Sequence, residues 1–499
     1  MASLYRRIFK RYAILNPRLI LLVCAVIGCF TIYIVLLHSE RDIRYFPVDS
    51  FVQLRSHDAK EPVQRQNSID QPNGDQKQLL QQLQQQRESL KKQNGEILQQ
   101  ANNDDSMTQH FNEDVVNTFI GKYRLDFNYT LPPGVSPWEV PRKWATSREL
   151  LPDQAPELGA VLNMMATARI TEADDPGRHT GNQLKLLLTL EGRQQVLFKP
   201  KWNARGFVWS DNLCNVHDIP YAEIAAFHLS RVLGFRRTPL AVGRVLKLSK
   251  EILPAATDYL RETVYNVPEA NATCIYGHCY TCSKSESSWV DHLCTSDDTL
   301  EGVMILWMPE HLKLNEDYKD THPWMRICYE REEVMDLLRN TSHCSAVQNS
   351  ISQPPLYSKT RTNPFYNNSA LFLDLIDASI FQYIINNADR KVSVMEGPDS
   401  VRSFVMMDNG KSFQNPHGDE RLILAPLFQC CMVRQTTYER LRVLEKGVLS
   451  SVMREVLKAD PVSPVLTDPH LTAMDRRLAH VILEIQECAR TQGPSHVFR

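Results

Sequence analysis

Two aspartates close off one stretch of this chain, and the residue types around them suit phosphoryl chemistry. Asp389 follows the apolar run Ile380-Phe381-Gln382-Tyr383-Ile384-Ile385 and the break Asn386-Asn387-Ala388. Asp408 follows the strand-like Phe404-Val405-Met406-Met407 and opens Asn409-Gly410-Lys411-Ser412-Phe413. Each carboxylate sits where a hydrophobic element yields to a loop, at opposite ends of a predicted hairpin. Moving a phosphoryl group requires one carboxylate at the acceptor hydroxyl and a second, on the next strand, at a phosphate-bridging cation. The pattern alone also fits two solvated loop aspartates, so the elements around it must decide.

A second pair of residues supplies what such chemistry lacks. Residues 183–190 read as an aliphatic strand, Glu191-Gly192-Arg193 as a turn and residues 195–198 as a second strand, from which Lys199 emerges just before Pro200. A helix then opens at Asp218-Ile219-Pro220-Tyr221-Ala222-Glu223 and runs to Gly234, with Pro220 in the first turn, where its missing N–H costs nothing. A strand lysine aimed by a helix glutamate is how a kinase small lobe holds nucleotide phosphates. The Gly-rich G-x-G-x-x-G loop is missing; only Gly177 and Gly181 lie just before the strands. This sets the chain apart from ordinary protein kinases.

Other elements frame these residues. Residues 157–173 read as an amphipathic helix around Leu158, Val161, Leu162, Met165 and Ile170. The apolar strand at 301–309 is placed to link two lobes, and residues 371–385 form a helix leading into the Asp389 loop. Two amphipathic helices, 437–457 and 469–489, fill the tail, and their Leu and Val stripes read as core.

Bulk composition narrows the class. The 499 residues carry 56 Lys+Arg against 58 Asp+Glu, a net charge of -2, so no basic excess invites nucleic acid. Residues 1–18 hold Arg6, Arg7, Lys10, Arg11 and Arg18, and residues 19–37 form an uncharged apolar run, close to the ~20 residues a bilayer requires. Basic charge before the run orients the N-terminus to the cytosol, as in a type II signal anchor. Its length and the lack of a small-x-small cleavage site argue against a cleaved signal peptide. Residues 38–127, glutamine-rich with Leu83, Leu90 and Ile97 at heptad spacing, read as a flexible stem, since one apolar position per heptad makes only a thin seam.

Cys24 and Cys29 lie in the apolar run, whereas the other cysteines fall from Cys214 to Cys488, beside sequons at Asn128, Asn271, Asn340 and Asn367. Cys279 and Cys282 form a C-x-x-C that could bind zinc. The company of sequons and paired cysteines favours a disulfide-bonded, lumenal domain.

Several segments together resemble the family-with-sequence-similarity-20 secretory-pathway kinases, in particular their xylosylkinase branch. They are Ala155-Pro156-Glu157-Leu158-Gly159-Ala160-Val161, Phe198-Lys199-Pro200-Lys201, Ala222-Glu223-Ile224-Ala225-Ala226-Phe227-His228-Leu229, Asn387-Ala388-Asp389-Arg390, Asp408-Asn409-Gly410-Lys411-Ser412-Phe413 and Ile423-Leu424-Ala425-Pro426-Leu427-Phe428-Gln429-Cys430-Cys431. The resemblance implies an α+β, atypical two-lobed protein-kinase-like fold with disulfide-bonded insertions over residues 128–499. A transmembrane helix and a stem precede it; the small lobe spans about 128–300 and the large lobe about 301–499. It implies ATP and Mn²⁺ or Mg²⁺, a Golgi location, and phosphorylation of the 2-hydroxyl of xylose in the linkage oligosaccharide of proteoglycan core proteins. Implied partners are a second copy, glycosyltransferases or kinases.

Carried over by motif, Asp389 is the catalytic base, and Asp408 and Asp218 are metal ligands. Gln183 and Lys199 contact nucleotide, Glu223 pairs with Lys199, and Ile305, Leu306, Trp307 and Met308 meet adenine. The implied bridges are Cys274–Cys294, Cys279–Cys282, Cys344–Cys430 and Cys431–Cys488, leaving Cys214 and Cys328.

The chain departs from the family at the nucleotide site. His-His-Tyr-Glu is replaced by Lys391-Val392-Ser393-Val394, with Glu396 two residues on; two family glycines become Asn386 and Gln414; Arg-His-Asn becomes Ile219-Pro220-Tyr221. Alternatives to the xylosylkinase are therefore a pseudokinase that binds a partner kinase or glycan, and a secretory-pathway serine protein kinase. Survival of Lys199, Glu223, Asp389 and Asp408 favours the active enzyme.

Overall fold

The computed structural model describes residues 105–177, 183–208, 217–279, 282, 292–315, 369–389 and 393–499. Among the described residues three helices precede the first strand: α1 (Asp105–Tyr123), α2 (Glu139–Trp144) and α3 (Leu158–Thr167). α1 falls inside the stretch expected as stem. Its last turns are ordered because Phe119 and Tyr123 are buried in the main core, where the Arg440 guanidinium lies 4.7 Å from the Phe119 ring. The helix expected to run to Ala173 stops at Thr167, and Ile170–Asp174 is instead strand β1. Its β-branched Ile170-Thr171 start and its pairing with a distant strand outweigh the local helical period.

The first sheet contains β1, β2 (Leu186–Leu190), β3 (Gln194–Pro200), β4 (Ala241–Lys247) and β8 (Thr299–Leu306), in the order β1-β2-β3-β8-β4, all antiparallel. Side chains alternate across it. Val196 and Phe198 are fully buried on one face; Leu197 and Lys199 point to the other, opposite Ile305 and Val303. α4 (Pro220–Val232) packs against β4 and β8 with every residue buried, its Ala222, Ala225 and Ala226 permitting close approach. β8, which spans the residue expected near the lobe boundary, pairs with β3 on one side and β4 on the other.

A second, three-stranded sheet is the cysteine insert: β5 (Val264–Val267), β6 (Ala272–Ile275) and β7 (Leu293–Thr295). Cys274 and Cys294 face one another in the β6–β7 register and are bridged, and Cys279 is bonded to Cys282. The C-x-x-C is thus a disulfide and not a zinc site.

The third sheet, in the order β11-β10-β9, joins β9 (Lys313–Asn315), β10 (Ser393–Glu396) and β11 (Arg402–Val405). Against β11 packs α5 (Ser369–Ile384), which also meets α6 (Ala425–Cys430) and α9 (Asp468–Gln492); α9 in turn contacts α7 (Gln435–Val443) and α8 (Val448–Leu457), and α8 packs on α1 and α4. The first tail helix, expected as one element, is two, because Lys446 and Gly447 take positive φ of 56° and 84° and a left-handed pair interrupts the ladder. Cys431–Cys488 ties the end of α6 to α9, and Cys430 is also disulfide-bonded.

Cys214, Cys328, Cys344, Asn340, Asn367 and the apolar run 19–37 lie outside the described residues. Among the described residues no helix is long and apolar enough to cross a membrane. Asn128 and Asn271 are exposed.

Candidate active site

Lys199 leaves β3 on the face that meets the start of α4. Its Nζ lies 2.7 Å from Glu223 Oε1, 3.0 Å from Asp218 Oδ2 and 2.9 Å from Asp408 Oδ1. One ammonium thus gathers the strand, the helix, the segment before the helix and the loop after β11. Burial works against its charge, but Asp218, Asp408 and Glu223 outweigh it and hold Lys199 well above its usual value. Such a buried ion cluster is weak evidence for stability, since desolvation opposes the attraction; it is strong evidence for a site, where charge must be held ready.

The loop that carries Asp408 is fixed from several directions. Asn409 Nδ2 donates to Glu223 Oε2 at 3.3 Å and to the Met406 carbonyl at 3.2 Å. The Ile219 amide donates to the Gly410 carbonyl at 2.6 Å, and the Phe413 amide to the Ile385 carbonyl at 2.9 Å. Gln183 Oε1 accepts the Asp218 amide at 2.7 Å, so the residue expected to contact nucleotide also fixes one of the expected metal ligands. Asp389 lies at the opposite edge, where Lys411 Nζ is 2.6 Å from its Oδ2. Asn387 Nδ2 spans the two aspartates by donating to the Asp408 carbonyl at 3.4 Å.

Four of the expected residues (Lys199, Glu223, Asp218 and Asp408) therefore form one contact set, with Asp389 and Gln183 at its borders. The interlobe residues divide by sheet face. Ile305 is half-buried opposite Leu197 on the Lys199 face. Leu306, opposite Val196, is largely buried but still reaches the cavity beside the strand. Trp307 and Met308 follow the strand and, with Leu306, Thr189, Gln195, Glu172 and Glu310, line a cavity of about 590 Å³.

The departures at this site do not unmake its backbone. Asn386 takes φ 56°, a conformation that glycine adopts freely and asparagine tolerates, and its side chain bonds the Gly418 carbonyl and the Glu420 amide. Gln414, fully buried, donates Nε2 to the His217 carbonyl at 2.8 Å. Glu396 does not stand in for the missing acid: it is paired with Arg402 at 2.6 Å within the β10–β11 hairpin. Lys391 and Val392 lie outside the described residues.

The donor set fits a hard divalent cation. Among the described residues no group of three or more His, Cys, Asp or Glu forms a ready-made cage. A magnesium-like ion that bridges phosphates needs only one or two carboxylates, the rest of its shell coming from phosphate and water. Asp218 and Asp408 supply these, and Asn387 Oδ1 is buried with no hydrogen-bond partner. Asp218, Glu223, Asp389 and Asp408 against Lys199 and Lys411 leave two negative charges, the complement of one divalent ion. Sequence reasoning missed Lys411 and Asn409; both stood in the Asp408-Asn409-Gly410-Lys411 run, but their contacts are long-range.

A sheet that hands a lysine to a helix glutamate, facing a helical lobe whose loops present two aspartates, defines a two-lobed kinase-like fold. Within that class the chain belongs to the Fam20 family: residues 136–497 match the family described as Golgi casein kinase, C-terminal, Fam20. It is 45% identical over 359 residues to the glycosaminoglycan xylosylkinase of Danio rerio, covering 72% of this chain and 81% of that protein. The structure of hydra Fam20 with sugar superposes with a TM-score of 0.64 at 34% identity, covering 73% of this chain and 99% of that one. The Golgi casein kinase with Mn/ADP bound gives a TM-score of 0.64 at 27% identity, covering 73% and 83%.

Proposed function

We propose that this protein is a Golgi-lumenal kinase that transfers the γ-phosphate of ATP to the 2-hydroxyl of xylose in the linkage region of proteoglycans. The observation that carries the reading is the convergence of Glu223, Asp218 and Asp408 on Lys199. Similarity to a glycosaminoglycan xylosylkinase over most of the chain supports the choice of acceptor.

In this reading Lys199, oriented by Glu223, holds the nucleotide phosphates. Asp218 and Asp408, with Asn387 Oδ1 nearby, would hold Mn²⁺ or Mg²⁺, which when bound neutralises phosphate charge. Ile305, Leu306, Trp307 and Met308 flank the base, and Gln183 keeps Asp218 in place. Asp389 accepts the proton of the xylose hydroxyl as its oxygen bonds to the γ-phosphorus and the bond to the ADP oxygen breaks, the electron pair leaving with ADP. Phosphoryl transfer asks chiefly for such positioning and charge neutralisation.

Residues 19–37 serve as a signal anchor in a single-pass type II arrangement, with Asn128, Asn271, Asn340 and Asn367 as glycan acceptors in the lumen. Cys344 is the partner assigned to Cys430. A second copy, glycosyltransferases or kinases are its candidate protein partners.

The full chain, purified in detergent, is incubated with Mn²⁺, radiolabelled ATP and a xylose-containing linkage tetrasaccharide. Label on xylose that disappears with Asp389→Asn is the expected result. Nucleotide binding without turnover would instead indicate a pseudokinase, and label on peptides alone a serine kinase.

A further inference from the structure

Lys411 carries none of the roles proposed above, yet it is ion-paired with the proposed base. Its Nζ lies 2.6 Å from Asp389 Oδ2, and the two side chains are only 16% and 9% exposed. Its backbone position is set by its neighbours: the Ser412 amide bonds the Asn409 carbonyl at 3.0 Å, the Phe413 amide bonds Ile385 and the Gly410 carbonyl bonds Ile219. Lys411 therefore sits on the same fixed loop as Asp408, three residues on, with one end of the loop at Lys199 and the other at Asp389.

The charge distribution gives that placement a purpose. Lys199 and the expected cation ligands occupy one side of the cluster, where three carboxylates share a single ammonium. Asp389 stands on the other side. There a carboxylate, an acceptor oxygen and an anionic phosphoryl group must come within hydrogen-bond reach of one another. Two anions brought together in a water-poor site repel strongly unless a fixed cation lies between them.

We propose that Lys411 is a catalytic lysine of the transfer step: its ammonium aims the Asp389 carboxylate at the acceptor hydroxyl and meets an oxygen of the phosphoryl group in flight. The inference rests on the kinase reading of this site. The hydroxyl oxygen bonds to phosphorus, the bond to ADP breaks with its electron pair, and the released proton goes to Asp389. Lys411 keeps its protons throughout and contributes charge and direction. An ammonium can do this because it donates in three directions.

The test uses the full chain in detergent with Lys411→Met and Lys411→Arg. It measures transfer from ATP to the linkage tetrasaccharide, ADP–Mn²⁺ affinity by calorimetry, and melting temperature. Lys411→Met is expected to lower kcat by about 100-fold or more, the loss typical of removing one donor to developing charge, with KM for ATP within about threefold. ADP affinity and melting temperature stay near those of the unsubstituted protein, and Lys411→Arg recovers at least about tenfold of the loss. If Met unfolds the protein, Lys411→Gln is read in the same way. A kcat within about threefold of the unsubstituted protein overturns the proposal. So does a loss of ADP affinity and melting temperature in parallel with kcat that Arg does not repair, which marks a merely structural ion pair. Absence of any transfer by the unsubstituted protein overturns the kinase reading itself, and the role of Lys411 with it.

Discussion

Gln414 Nε2 donates to the carbonyl oxygen of His217 at 2.8 Å, joining the end of the Asp408 loop to the residue before Asp218. One side chain thereby ties together the two segments that carry the expected metal ligands Asp408 and Asp218. The His217 ring is itself stacked on Trp202, centroids 5.2 Å apart. Gln414→Gly removes a hydrogen bond worth about 1 kcal/mol, so ADP–Mn²⁺ affinity should fall about fivefold. Calorimetry checks this; an unchanged affinity would show that the backbone contacts alone align the two loops.

Metal dependence follows from the sparse carboxylate shell. Melting temperature should rise when ADP and Mn²⁺ are added together, by an amount equivalent to about 2.7 kcal/mol at a hundredfold excess over Kd. A chelator should abolish the rise. Asp408→Ala should lose it entirely and Asp218→Asn most of it, because each removes an oxygen that the nucleotide cannot supply. A full metal-dependent rise in Asp408→Ala would take Asp408 out of the site.

The Cys431–Cys488 bridge closes a loop with a sequence separation of 57 between α6 and α9. Loop-closure entropy of that size corresponds to ~4 kcal/mol of stability. The double variant Cys431→Ala with Cys488→Ala should melt several degrees lower in a thermal scan. Equal melting temperatures would mean that packing of α6 on α9 already restricts the unfolded chain.

Asp460 should give stability a pH dependence of defined sign. It lies between α8 and α9, where Oδ2 accepts the Gly243 amide of β4 at 3.1 Å and Oδ1 accepts the Val462 amide at 3.0 Å. Burial pushes its carboxyl from 3.8 up to about 6, against the pull of those two N–H groups. A raised folded value favours the protonated form, so this contribution is complete below about pH 4 and is lost as pH rises through about 6. The change is on the order of 3 kcal/mol. Melting temperatures of the protein and Asp460→Asn, compared from about pH 4 to 8, should diverge in that direction across the window and run parallel above it. A constant difference would place the titration elsewhere.

Which side chains could do chemistry was legible in the chain itself. Lys199 at a strand end, Glu223 in a helix's first turn, and Asp389 and Asp408 where apolar runs give way to loops are local facts. Alternation and helical period are set by residues a few positions apart, so β2, β3, α4 and α5 were also readable. Tertiary structure decided what those residues meet. Lys199 reaches Asp218 and Glu223 across 19 and 24 residues and Asp408 across 209, and no periodicity encodes separations of that kind. The same holds for β1, whose β-branched start became a strand by pairing with Leu186–Leu190, and for α1, whose aromatic side chains meet Arg440 far along the chain. Lys411 stood in plain view beside Asp408, but only the fold turned it toward Asp389: sequence assigns charge to a side chain, whereas its partner is chosen by where the backbone brings opposite charges out of water.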